Sequence, residues 1–291
     1  MVGPPGTGKT MLASRLANLL PPLSLTQGLE VAAIHSIAGL SRDSQQLRRR
    51  PFRAPHHSSS AASLVGGGSV PQPGEISLAH HGVLFLDELP EYSRVVLDNL
   101  REPLESGQVV ISRASAKLTF PARFQLVAAM NPSPSGEVGS NSRDSPEQIR
   151  RYLARLSGPL LDRFDLSVEV SRLPAGSLSK PDTSGISSAE AGAQILRAQT
   201  VAIERQGYLN ALISGHKLGP NLGISQSLLE FTERAINKLQ LSVRAYHRIL
   251  RVARTIADLE SSAAVEKHHI AEALGYRAMD KLLSELARQV Q

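Results

Sequence analysis

Residues 3–10 read GPPGTGKT, a spacing at which a polypeptide can wrap a phosphate group. Gly3, Gly6 and Gly8 allow a tight turn that brings backbone N–H groups close to an anion. Pro4, Pro5 and Thr7 complete the loop, Lys9 can reach β- and γ-phosphates, and the Thr10 hydroxyl can ligate magnesium. The following MLASRLANLL is rich in helix formers and carries Leu12, Leu16 and Leu19 on one face. The loop is therefore expected at a helix N-terminus, whose dipole favours the same anion.

A second stretch, GVLFLDE at 82–88, reads as a short buried parallel strand ending in two carboxylates. Strand C-termini are where α/β sheets place ligands. There Asp87 can hold the magnesium shell and Glu88 can polarise an attacking water. QLVAAM at 125–130 reads as another buried strand, closing on Asn131, whose amide can orient that water. Arg163 and Asp165 lie in SGPLLDRFD before an expected strand at 166–170. Arg163 either pairs with a neighbouring carboxylate or enters the next subunit's site. VVISRASAKLTF at 109–120 alternates in a hairpin pattern, with Arg113 and Lys117 beside its tip. Those two cations are either edge-strand gatekeepers or a finger presented to nucleic-acid phosphates.

Other elements must position these groups. Pro21-Pro22 ends the first helix, and 29–37 reads as strand or helix without a decision from periodicity. The basic run 42–53 reads, on its plainest interpretation, as a solvated helix face. His56 and His57 read as loop residues, because no third metal ligand stands at a useful spacing. Gly66-Gly67-Gly68 with Pro71, Pro73 and Gly74 marks a long bent insertion, and 93–105 reads as one helix. A Ser-, Pro- and Gly-rich linker is followed by helices over 189–206, 226–239, 243–261 and 267–289. In 243–261, Arg244, Arg248, Arg251 and Arg254 are expected largely opposite the apolar face. Only Met1 and Val2 precede the loop, where a buried central strand is expected. That first strand is therefore expected to be largely missing, leaving unpaired backbone groups on its neighbours.

Apolar residues make up 41% of 291, enough for a full core. The longest apolar runs fall short of the ~18 residues that span a bilayer, and no signal peptide is read. Cysteine is absent, which removes disulfides and thiolate metal sites and fits a cytoplasmic protein. The net charge of +6 favours a polyanionic partner. With aromatics at 4%, base stacking is an unpromising source of affinity, so cations tracking phosphates are expected to dominate.

The chain resembles the magnesium-chelatase ChlI-like group of AAA+ ATPases, and within it the ComM-type competence family. The resemblance rests on GPPGTGKT, RPFRAPHH, LVGGGSVPQPGEISLAHHGVLFLDELPE, ISRASAKLTFPARFQLVAAMNP, SGPLLDRFDL and RILRVARTIADLE. It implies an α/β fold, a P-loop αβα sandwich with a parallel sheet, followed by an all-helical lid. Expected boundaries are a core at 1–170, a helix-2 insert at about 52–76, a pre-sensor-1 hairpin at about 108–121, a linker at 171–188 and a lid at 189–291. In this resemblance Asn131 is sensor 1, Arg163 the arginine finger and Arg244 sensor 2. ATP and magnesium are the expected ligands, and a homo-oligomeric, hexameric ring with DNA through its pore is the expected assembly. Two other functions stay open: a motor that remodels a partner protein for metal insertion, and an inactive fragment. Relatives often carry cysteines after sensor 1. Ser133 and Ser135 stand here, so no zinc is expected. The resemblance also implies a Lon-protease-like domain before the P-loop, usual in the family, and with the P-loop at residue 3 that domain is expected to be absent from this chain.

Overall fold

The computed structural model of the chain describes residues 1–68, 70–112, 117–137, 142–174, 176, 185–239 and 241–289, with the backbone alone at 112 and 284–289. Two compact units are present. The first comprises Met1–Phe164, Glu169–Asp182 and Leu282–Gln291; the second comprises Asp165–Val168 and Thr183–Lys281.

In the first unit, helix α1 (Lys9–Leu19) starts after Gly8, which adopts a left-handed φ of 83°. It stops at Leu20, which is extended ahead of Pro21. Helix α2 (Leu25–Ile37) begins with a reciprocal capping box between Ser24 and Gln27. This settles 29–37 as helix: the cap satisfies the first-turn N–H groups, and Val31 and Ile34 are buried. The 42–53 run is not a helix face. Arg42 bonds the carbonyls of Gln46 and Arg49, and Arg50 bonds those of Pro21 and His81. Strand β1 (Phe52–Arg53) closes it.

The insertion contains α3 (Ala61–Val65) and an antiparallel ribbon of β2 (Gly66–Gly67) with β3 (Gln72–Pro73). Then come α4 (Glu75–Leu78), β4 (Val83–Leu86) and a 3-10 turn over Leu89–Glu91. Where one helix was expected at 93–105, two short ones form, α5 (Arg94–Asp98) and α6 (Arg101–Ser106). Pro103 has no N–H to give the Asn99 carbonyl, so the break falls at Asn99–Leu100 and Pro103 sits in the first turn of α6. Strands β5 (Gln108–Ser112) and β6 (Lys117–Pro121) pair antiparallel, and β7 (Gln125–Ala128) follows. Helices α7 (Pro146–Leu153) and α8 (Gly158–Leu161) complete the unit's described helices up to Phe164.

Among the described residues the main sheet is parallel, in the order β1-β4-β7. All four residues of β4 are buried, as a strand covered on both faces requires. Val2 adds parallel bridges to both Met130 and Glu169. The stretch 166–170 is not a continuous strand; it pairs through single bridges at Ser167 and Glu169. Ala13 of α1 packs on Phe85 and Ala129, with Phe52 stacked on Phe85 at 6.1 Å, so an apolar cluster ties the helix that follows the glycine-rich loop to the sheet. Gly82 is required at the entry to β4, where a Cβ would come within 2.0 Å of the Pro51 carbonyl oxygen.

The second unit is helical: α9 (Ser188–Gln206), α10 (Gln226–Lys238), α11 (Val243–Leu259) and α12 (Lys267–Gly275); α13 (Ala278–Gln289) begins in this unit and from Leu282 on is counted with the first. The expected single helix at 267–289 breaks after Gly275, where Arg277 bridges Ser167 instead. The core gathers Ile213, Ile224, Leu250, Ala253, Ala257 and Ile270 around α11. Two arginines expected on its solvent side are buried. Arg248 is 5% exposed and Arg254 fully enclosed. Arg254 survives there because Asp258 and the carbonyls of Leu222, Ser262 and Ala263 accept from its two terminal nitrogens. No helix among the described residues is long and apolar enough to cross a membrane.

Candidate nucleotide site

The glycine-rich loop folds as a nest. Gly6 and Gly8 both take left-handed φ values, 77° and 83°, where a β-carbon is disfavoured. A Cβ on Gly3 would come within 2.1 Å of the Val170 carbonyl oxygen. The Thr7 hydroxyl closes the loop on the Pro4 carbonyl at 3.0 Å, and Pro5 packs where a Cβ on Gly136 would collide with its ring.

Lys9 Nζ donates to the Gly3 and Pro4 carbonyls at 2.7 and 2.8 Å and to Asn131 Oδ1 at 3.2 Å. An ammonium only donates, so Asn131 must present its oxygen to Lys9, and its NH₂ is the group it can offer elsewhere. Burial pushes the Lys9 ammonium below the ordinary lysine range, and the Asp87 carboxylate pulls the other way. Thr10 Oγ1 donates to Asp87 Oδ2 at 2.6 Å. The other Asp87 oxygen accepts the Glu88 backbone N–H at 3.0 Å. Loop, β4 terminus and β7 terminus thus meet, bringing Lys9, Thr10, Asp87, Glu88 and Asn131 together from distant parts of the chain.

Glu88 leaves β4 in a left-handed conformation, φ 52° and ψ 47°, unusual for a residue with a side chain. Its carboxylate meets His57 Nδ1 at 2.9 Å. Tyr92 lies below, buried, with its hydroxyl donating to the Pro55 carbonyl at 2.6 Å. Burial, reinforced by Asp87 and Glu88, pushes the Tyr92 phenol up to about 12. Burial together with Glu91 and Glu88 does the same to Tyr152.

The remaining sequence candidates lie elsewhere. Arg163 pairs with Glu105 of the same chain. Arg244 stands in the first turn of α11, in the second unit. Lys117 opens β6 and is exposed, opposite Ser112 in register. Arg113 lies outside the described residues. The loop after Asn131 is tied by serines: Ser133, fully buried, donates to the Glu137 carbonyl and accepts from the backbone N–H groups of Gly136 and Glu137.

The oxygen pair of Thr10 and Asp87 suits magnesium, a hard cation that takes few protein oxygens and keeps several waters. Two other clusters, Glu30 with His80 and His81, and Glu260 with His268 and His269, have metal-like spacing. Their buried histidines argue otherwise. His80 Nδ1 accepts the Arg123 N–H at 3.0 Å, and His269 Nδ1 accepts the Glu266 N–H at 2.8 Å. In the neutral ring the proton then sits on Nε2, which faces the carboxylate as a donor and has no lone pair for a metal.

Sheet, helices and loop together define a P-loop α/β protein of the AAA+ type. The chain belongs to the magnesium chelatase subunit ChlI family, whose model matches residues 1–178, with the family's C-terminal model matching 185–277. It is 55% identical over 287 residues to the competence protein ComM of Haemophilus influenzae, covering 98% of this chain and 56% of that protein. It is 52% identical over 289 residues to the uncharacterized protein YifB of Escherichia coli, covering 99% and 57%. It is 27% identical over 209 residues to the magnesium-chelatase 38 kDa subunit of Acidiphilium rubrum, covering 72% and 55%. The chain therefore spans little more than half the length of these relatives.

Sequence reasoning passed over His57 and Tyr92. Only the double histidine at 56–57 carried a signal, and a metal-ligand criterion is the wrong filter for a residue that meets a carboxylate.

Proposed function

We propose that this chain is the motor part of an ATP-hydrolysing ring that acts on DNA. The convergence of Lys9, Thr10, Asp87 and Asn131 on one loop carries the reading. The backbone N–H groups of the loop cradle the phosphates, and Lys9 neutralises them as it turns from its carbonyl partners. Thr10 and Asp87 would hold magnesium, which supplies charge neutralisation at the phosphate oxygens when bound. Glu88 accepts a proton from the attacking water, and the Asn131 NH₂ orients that water. Arg163 completes the site of a neighbouring subunit, and Arg244 contacts the nucleotide from the lid.

DNA is favoured as the track by the identity to a competence protein and by the exposed Lys117 on the β5–β6 hairpin. A protein-remodelling motor is the second reading, supported by the identity to a magnesium-chelatase subunit. Phosphate release by the full-length protein, measured with and without DNA, separates the two. Stimulation by DNA that Lys117→Glu abolishes is expected; stimulation by a partner protein alone would transfer the assignment to the second reading. Nucleotide binding is checked by melting. Saturating MgATP at about a hundred times Kd stabilises by about 2.7 kcal/mol. Lys9→Ala is expected to lose that shift and Glu88→Gln to keep it while losing turnover. An unchanged melting point in the wild-type protein refutes the nucleotide site.

A further inference from the structure

We propose that Ser133 is a positioning residue for nucleotide binding: the turn it ties holds Gly136 against Pro5 and so keeps the Gly3–Pro5 arm of the glycine-rich loop shaped to receive phosphates. The inference rests on the reading of that loop as the nucleotide site.

The arm has few bonds of its own to hold it. Pro4 and Pro5 have no N–H to give, and the Gly3 and Pro4 carbonyls are taken by Lys9 Nζ at 2.7 and 2.8 Å. Those two bonds are the ones Lys9 exchanges when it turns to a phosphate, so they cannot fix the arm in the bound state. A loop that must be ordered on binding loses affinity, and one already shaped does not. The shaping contacts come from outside the loop. On one flank the Gly3 backbone lies close against the Val170 carbonyl. On the other, the Pro5 ring meets Gly136, where a Cβ would stand 2.4 Å from Pro5 Cδ and 3.0 Å from Cγ. Gly136 also has a φ of 90°, so both the space and the backbone there call for glycine.

Ser133 fixes that second flank. It is fully buried, and its hydroxyl donates to the Glu137 carbonyl at 2.7 Å. The same oxygen accepts from the Gly136 and Glu137 N–H groups, each at 3.1 Å. One O–H and two lone pairs thus match three backbone groups. Without the hydroxyl, those groups lose a partner where solvent does not reach, and the turn must open to find another. Two residues earlier, Asn131 meets Lys9 Nζ at 3.2 Å, so one short segment touches the glycine-rich loop at both Lys9 and Pro5. The two flanks are also joined to each other. Glu137 pairs with Arg172 at 2.5 Å, two residues beyond Val170. The arm therefore sits in a closed frame running from Val170 through Arg172 and Glu137 to Gly136.

The test uses the full-length protein and five variants: Ser133→Ala, Ser133→Thr, Gly136→Ala, Pro5→Ala and the Pro5→Ala/Gly136→Ala double. Kd for MgADP is measured by titration calorimetry at a temperature where each melting curve shows the protein folded. Ser133→Ala is expected to raise Kd about tenfold, the scale of one lost preorganising bond. Ser133→Thr keeps the hydroxyl and is expected to bind like the wild type, even if its added methyl lowers the melting temperature. A merely structural serine would move melting temperature in both variants and Kd in neither. Gly136→Ala is expected to raise Kd by a similar factor, but by less than about threefold when Pro5→Ala has already removed the ring it would strike. That pair carries the test if Ser133→Ala does not fold. An unchanged Kd in Ser133→Ala overturns the inference. So does a Kd in Ser133→Thr raised as far as in Ser133→Ala, or an equal effect of Gly136→Ala in both backgrounds. Failure of the wild-type protein to bind MgADP would instead sink the nucleotide site itself, so the two failures are distinct.

Discussion

Glu88 occupies a backbone region that costs a residue with a β-carbon about 1–2 kcal/mol. Asparagine visits this region readily and glutamine does not. Glu88→Asn is therefore expected to raise the stability of the first unit by about 1 kcal/mol in urea unfolding, while Glu88→Gln leaves it near wild type. Both lose phosphate release on the proposed reading. Equal stabilities of the two variants would show that the backbone carries no strain worth relieving. At this scale the sequence was most readable where chemistry is contiguous. GPPGTGKT and LFLDE state their own geometry, because a loop and a strand end fix neighbouring groups. The pairing of His57 with Glu88 was not readable, since it depends on β1 and β4 lying side by side, which no local pattern encodes.

Among the elements, α11 holds the second unit together through charge as well as apolar packing. Arg254 and Asp258 are both shut away from solvent, and Arg205 and Asn210 bond the same carboxylate. Removing one partner strands the other charge in a medium that cannot hydrate it. Asp258→Ala is expected to cost about 3–5 kcal/mol in denaturant unfolding of that unit, far more than loss of an exposed pair. A cost under about 1 kcal/mol would mean that water reaches the site. Helical periodicity located α11 but sent Arg254 to the wrong face, because the arginine was weighed by hydropathy and not by the acid four residues on. The same kind of limit governs the other elements. β4 was legible as an unbroken apolar run. Periodicity does not decide α2, whose Ser24–Gln27 cap does, and apolar spacing runs on through 93–105 and 267–289 although Pro103 and Gly275 stand inside them.

For the molecule as a whole, the two units should respond differently to acid. Burial, with His81 alongside, pulls His80 down to about 4 from an ordinary 6.5. The folded first unit thus stays unprotonated there while the unfolded chain takes up a proton. Its stability is full above pH 6.5 and falls as pH drops toward about 4, by roughly 3 kcal/mol. In the second unit burial resists ionisation of Asp258, but Arg205, Asn210 and Arg254 outweigh it and hold the carboxylate below its usual range. That contribution persists until pH falls below the ordinary 3.8. Acid titration followed by hydrogen exchange is expected to open the first unit before the second, and simultaneous opening at all pH values would contradict this. Another whole-molecule property follows from the pairing of Arg163 with Glu105. A guanidinium already neutralised within its own protomer reaches an adjacent protomer only by exchanging one anion for another. On the proposed ring, docking of neighbours becomes a competition between a carboxylate at home and a triphosphate next door, and nucleotide occupancy would set how firmly such a ring closes.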